Sequence, residues 1–206
     1  EIPDELYQLT NLTRFYLAGN QIETIPPEIG QLTSLTQLGL SNNQIEVIPA
    51  EVAQLTNLTT LYLAGNQVES IPPELGQLTS LTQLYLYENQ IETIPFEVGQ
   101  LTNLEFLPLE SNLITSLPAE IGNLINLTDL NLKNNQLTNL SSEINKLSEL
   151  QSLNLHQNRV QKFPEIITQL PNLRQLYIDE NQLRSLPSTI KNLIELEQLW
   201  LDGNLI

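Results

Sequence analysis

The sequence has no cysteine, no methionine, one histidine and only 8 Lys and Arg among 206 residues. Zero cysteine excludes disulfides, thiol nucleophiles, zinc–thiolate sites and iron–sulfur clusters together. The few bases stand against 24 Asp and Glu, for a formal net charge of −16. That balance argues against nucleic acid, whose affinity comes from Lys and Arg displacing counterions, and against an anionic membrane surface. No apolar run approaches the roughly 18 residues of a membrane span, and no signal sequence opens the chain. The first residue is Glu1, so localisation is not legible. A hydrophobic fraction of 40% suffices for a folded core.

What the sequence does have is a repeat. Asn recurs at Asn20, Asn43, Asn66, Asn89, Asn112, Asn135, Asn158, Asn181 and Asn204, always 23 residues apart. A fixed frame precedes each one, as in Leu35-x-x-Leu38-x-Leu40-x-x-Asn43, and an apolar residue with Pro follows, as in Ile48-Pro49. Only Leu140-Ser141 departs from that Pro. Leu-x-Leu is a short alternating strand, with Leu on one side and the x residues on the other. The Asn is expected to end the strand in a turn, its amide pairing backbone groups that would otherwise be buried alone. One unit cannot bury its Leu face by itself, so units stack into a parallel sheet. Nine strands at about 4.8 Å make that sheet roughly 40 Å across.

The frame, with its following Leu-Pro-x-x-Ile-x-x-Leu, resembles the leucine-rich repeat (LRR) family, in particular its 23-residue class. That class occurs in plant Ras-group-related LRR proteins, bacterial LRR proteins and the LRR arrays of Roco-type GTPases. The resemblance covers essentially the whole chain. It implies an α/β fold: a right-handed solenoid with a parallel concave sheet of about nine strands and irregular or short-helical convex segments. It further implies a non-enzymatic module that binds a protein or peptide on the concave sheet. Residues 1–206 read as one solenoid whose two ends stop mid-repeat, which suggests a segment of a longer protein. Alternatives are a regulatory arm of a multidomain signalling protein such as a Roco-like GTPase, or a secreted bacterial adhesin or effector.

If the Leu residues face the core, the intervening positions face the concave surface. The residue between the last two Leu reads Tyr16, Gly39, Tyr62, Tyr85, Pro108, Asn131, Asn154, Tyr177 and Trp200. With Tyr87 and Phe106 in other concave columns, seven of the eleven aromatics share this surface. Exposed Tyr and Trp are enriched in interface hot spots, although Tyr also favours strands and stacks along a row. Residues 32–54 and 78–100 agree at 17 of 23 positions, yet Gly39, Ser41 and Asn42 are exchanged for Tyr85, Tyr87 and Glu88. The expected interface therefore centres on Tyr62, Tyr85, Tyr87, Glu88, Phe106 and Glu110. Tyr16, Lys133 and His156 extend it, and Tyr177 with Trp200 form a second patch. Pro108 cannot donate to a strand ladder.

Glu110–Lys133 and His156–Asp179 are expected exposed pairs, each worth about 0–1 kcal/mol. His156 has no nucleophile beside it in any motif. Asp179, Glu180 and Asp202 could gather around a hard cation, but their spacing fits no calcium loop. No catalytic residue, metal or cofactor is expected. The acidity is uneven: residues 1–132 hold 16 carboxylates and one base, residues 133–206 hold 8 and 7. Ten of the carboxylates form two ladders, Glu23 to Glu92 and Glu28 to Glu143, off the presumed binding face. The sequons at Asn11, Asn57, Asn126 and Asn139 follow from the repeat wording and carry no signal for secretion.

Overall fold

The computed structural model describes residues 2–206. Each repeat contributes one three-residue strand: β1 (Arg14–Tyr16), β2 (Gln37–Gly39), β3 (Thr60–Tyr62), β4 (Gln83–Tyr85), β5 (Phe106–Pro108), β6 (Asp129–Asn131), β7 (Ser152–Asn154), β8 (Gln175–Tyr177) and β9 (Gln198–Trp200). They form one parallel sheet in chain order, each strand in register with the next repeat's equivalent residues. Between strands the chain returns through five-residue 3-10 helices such as Pro27–Gln31 and Ala119–Asn123. The preceding Pro sets this up: Pro26, Pro49 and Pro95 hold extended backbone at φ −73°, −71° and −68° and enter each helix. Where Pro is missing, Ser141 serves as cap, its hydroxyl accepting from the Glu143 amide.

The core is the stack of Leu columns. Leu38, Leu61, Leu84, Leu130, Leu153 and Leu176 are wholly buried, and each contributes about 1.5–3 kcal/mol of apolar transfer. The same column is 37% exposed at Leu199, which lies in the last strand.

The asparagine column joins one repeat to the next. Asn89 is buried; its Oδ1 accepts from the Val68 amide of the preceding repeat at 3.0 Å. Its Nδ2 donates to the Leu63 carbonyl of that repeat and to the Leu86 carbonyl of its own, both at 3.0 Å. Asn43, Asn66, Asn112, Asn135, Asn158, Asn181 and Asn204 repeat this pattern. Asn20 is exposed and reaches only carbonyls of its own turn.

The residue before each Asn has left-handed backbone, with φ between 52° and 71° in all nine repeats. Gly65 meets this demand without strain, and a Cβ there would lie 2.4 Å from the Asn42 side-chain oxygen. Glu88 and Glu180 adopt the same geometry against a cost of about 1–2 kcal/mol.

Pro108 interrupts the ladder. β4 and β5 keep only the Gln83↔Phe106 pair, whereas β3–β4 and β5–β6 keep three. Pro108 has no N–H to donate to the preceding strand.

The asparagine column yields a direct test. Replacing Asn89 by Ala orphans the Val68 amide and leaves the Leu63 and Leu86 carbonyls with only the Asn66 and Asn112 carboxamides as side-chain donors, so it should cost about 1–3 kcal/mol, the range for one unpaired buried group. Replacing Asn20 should cost under about 1 kcal/mol. Urea denaturation followed by circular dichroism reads both.

Candidate functional site

The concave face of the sheet carries the residues between the Leu columns. On β1 to β4 the central row is aromatic. The Tyr62 and Tyr85 rings stack with centroids 4.9 Å apart and planes 16° apart. Their strands are paired at this position, so the stack follows from the strand spacing. Tyr16 comes within 6.5 Å of Tyr62, although β2 lies between them. Gly39 makes this possible. The Tyr16 ring lies over Gly39, where a Cβ would come 2.4 Å from the Tyr16 Cδ1. Gly39 is therefore the floor under a tilted ring, and three tyrosines span four strands.

A glutamine column holds the tyrosine hydroxyls. Tyr16 hydrogen-bonds the Gln37 carboxamide oxygen. Tyr177 donates to Gln198 at 2.9 Å and sits 3.3 Å from Gln175. Composition alone did not point to these glutamines; their recurrence two residues before the aromatic row was the available signal. Burial, then the neighbouring phenols of Tyr85 and Tyr16, pushes the Tyr62 hydroxyl above its ordinary value. Tyr177 and Trp200 meet edge to face at 5.4 Å, with Trp200 51% exposed.

The middle of the face is acidic. Tyr87 is partly buried and Phe106 is 39% exposed. Glu88 is exposed on the left-handed turn, at the rim of the row. Glu110 is partly buried, and its Oε2 is enclosed without a hydrogen-bond partner. Burial raises the Glu110 carboxyl above its ordinary range; its own amide and Lys133 oppose this, while Asp129 and Glu88 add to it. Burial likewise raises Asp129, against the Ser152 hydroxyl beside it. The expected Glu110–Lys133 pair does not form: among the described residues the ion pairs are Glu143–Lys146, His156–Asp179 and Arg174–Glu197. Lys133 is exposed, and its long stem reaches solvent more easily than a half-buried carboxylate.

His156 does meet Asp179, with Nδ1 2.5 Å from Oδ2, but the pair is sheltered where an exposed one was expected. Asp179 is 6% exposed. Arg174–Glu197, at 3.1 Å across neighbouring strands, is a pair the repeat frame did not reveal. Among the described residues no three His, Asp or Glu gather where they could hold a metal ion, and no helix is long and apolar enough to cross a membrane.

The carboxyls generate a prediction. In Glu110 and Asp129 the folded value lies above the unfolded one, so the folded state holds these protons more tightly. Stability therefore falls as pH rises through the raised values and is lowest above them. Glu110→Gln with Asp129→Asn should melt above the wild type at neutral pH, and the gap should close as pH falls through the raised carboxyl values. Thermal melts across that range check it.

Comparison with known proteins follows the same lines. The profile for leucine-rich repeat regions matches residues 2–113 and 118–204. No curated protein sequence matches the chain. An LRR protein of Leptospira interrogans is 35% identical over 98% of this chain and 58% of its own, with a TM-score of 0.79. The LRR ectodomain of a membrane receptor kinase from Arabidopsis thaliana, solved in complex with CASPARIAN STRIP INTEGRITY FACTOR 2, is 38% identical over 99% of this chain and 26% of its own. Its TM-score is 0.89. Internalin C2 of Listeria monocytogenes is 28% identical over 94% of this chain and 83% of its own, at a TM-score of 0.82. The chain thus spans 58% and 26% of the lengths of the first two. By the profile match, the nine-stranded parallel sheet and these likenesses, this chain belongs to the leucine-rich repeat family.

Proposed function

We propose that residues 1–206 act as one solenoid that recognises a protein or peptide on its concave sheet, without chemistry of its own. The observation that carries this reading is the row Tyr16, Tyr62 and Tyr85, continued by Tyr87 and Phe106 across β4 and β5. The Leu columns supply the core, and the aromatic side chains in the concave columns lie outside it, Tyr16 at 54% and Phe106 at 39% exposed. Yet they present the residue types most often found in interface hot spots, in a contiguous patch. The Arabidopsis ectodomain, solved in complex with another factor, supports the same use of the fold. Tyr177, Trp200, Lys133 and His156 extend the surface toward the last strand.

The test is affinity capture from source lysate by the wild type and by a Tyr62→Ala, Tyr85→Ala, Tyr87→Ala, Phe106→Ala variant. A Glu28→Gln, Glu51→Gln, Glu74→Gln variant of the convex ladder serves as control. Loss of specific capture only in the concave variant, with its circular dichroism unchanged, is the expected result. Capture that survives in the concave variant refutes the assignment of this face.

A further inference from the structure

The charge on the concave face is not evenly compensated along the array. In the first three repeats the concave columns carry one charged residue, Arg14. In the last three, Asp179 has His156 and Glu197 has Arg174, and the two carboxylates without an ion pair, Glu180 and Asp202, are exposed. The middle three repeats place Glu88, Glu105, Glu110 and Asp129 against Lys133, and none of these five joins an ion pair among the described residues. Two of the four carboxylates are partly buried, and the Glu110 Oε2 is enclosed without any donor. Half-desolvated carboxylates with no ion-pair partner are costly, and burial raises both carboxyls for that reason.

Phe106 stands beside this group. It pairs in register with Asp129 on β6 and with Gln83 on β4, and it is exposed. The stacked Tyr62 and Tyr85 lie on the strands before it. The aromatic row runs across the strands and continues as Pro108 and Asn131, with Asp129 in the column before them and Glu110 in the column after.

Resting on the concave reading above, we infer that the occupant of this face is an extended protein segment with an arginine or lysine side chain, whose cation sits between Glu110 and Asp129. Its aliphatic stem lies against Phe106, and the flanking residues cover Tyr62 and Tyr85. Charge complementarity selects a cation, and the aromatic surroundings select one borne on an apolar stem. A bare calcium or magnesium ion is disfavoured, since it takes six or more oxygen ligands and no three acidic side chains converge among the described residues. The segment crosses the repeats, because the aromatic row and the carboxylates succeed one another along the solenoid.

The test uses the full chain and a library of random linear peptides, panned on the wild type. Selected peptides should carry Arg or Lys close to an aromatic or branched apolar residue. A synthetic copy of the best peptide should lose about tenfold or more in affinity when its base is replaced by Gln. Glu110→Gln with Asp129→Asn in the protein should cost a similar factor, and combining the two changes should cost little more than either alone. These carboxamide variants relieve repulsion, so loss of binding cannot be assigned to loss of fold, and melting curves verify this. Peptides that need Tyr62 and Tyr85 but ignore the Glu110 and Asp129 changes overturn the cation assignment and leave the concave reading standing. Failure to select any peptide sensitive to the tyrosines counts against both.

Discussion

Each junction between repeats closes on one buried asparagine carboxamide. It accepts a backbone N–H of the preceding repeat and donates to carbonyls of both, so the backbone groups beside each turn can lie buried. Leucine columns can form the stack only because this polar seam beside them is satisfied, as buried backbone groups left alone cost more than the adjacent apolar contacts supply. No other residue matches its reach: Asp lacks the donors, Ser is too short and Gln must order another bond. The left-handed turn before each Asn belongs to the same device, because it aims the carboxamide back along the array. The strain at Glu88 and Glu180 is therefore a cost of position, sustained by the seam beside them.

Because the seam and the Leu columns carry the fold, the concave columns are free to vary. The exchange of Gly39 for Tyr85, or of Ser41 for Tyr87, alters no core residue. Pro108 interrupts the register between β4 and β5, and the array continues through it, with the Phe106 amide donating to Thr82 and the Leu86 amide to Pro108, both at 3.2 Å. That interruption lies in the strand that carries Phe106 and beside Glu110. The irregularity, the exposed aromatic and the enclosed carboxylate thus share one repeat.

The 23-residue spacing made the strands, their order and the asparagine role legible, since each follows from a residue type at a fixed position. The site was legible only as columns. The columns did not show that Tyr16 leans across Gly39, because a ring's tilt depends on its neighbours in the stack and on the Gln37 carboxamide holding its hydroxyl. Glu88 read as one more concave side chain, while its backbone is the turn. Glu110 and Lys133 read as partners from their column spacing, yet spacing does not say which side chain prefers water. Asp129 went unremarked because its significance lies in burial, which no single column reveals.

Central to the proposed function is that the polar seam and leucine stack form an inert frame while the face between the leucines takes the partner. Hydrogen–deuterium exchange with and without a bound partner addresses it most directly. Added protection is predicted in the turns and strand edges of β3 to β6, around Tyr62, Tyr85, Phe106 and Glu110, with the 3-10 helices of the opposite side unchanged. Protection confined to those helices or to the glutamate ladders, with the sheet face unaltered, would contradict it.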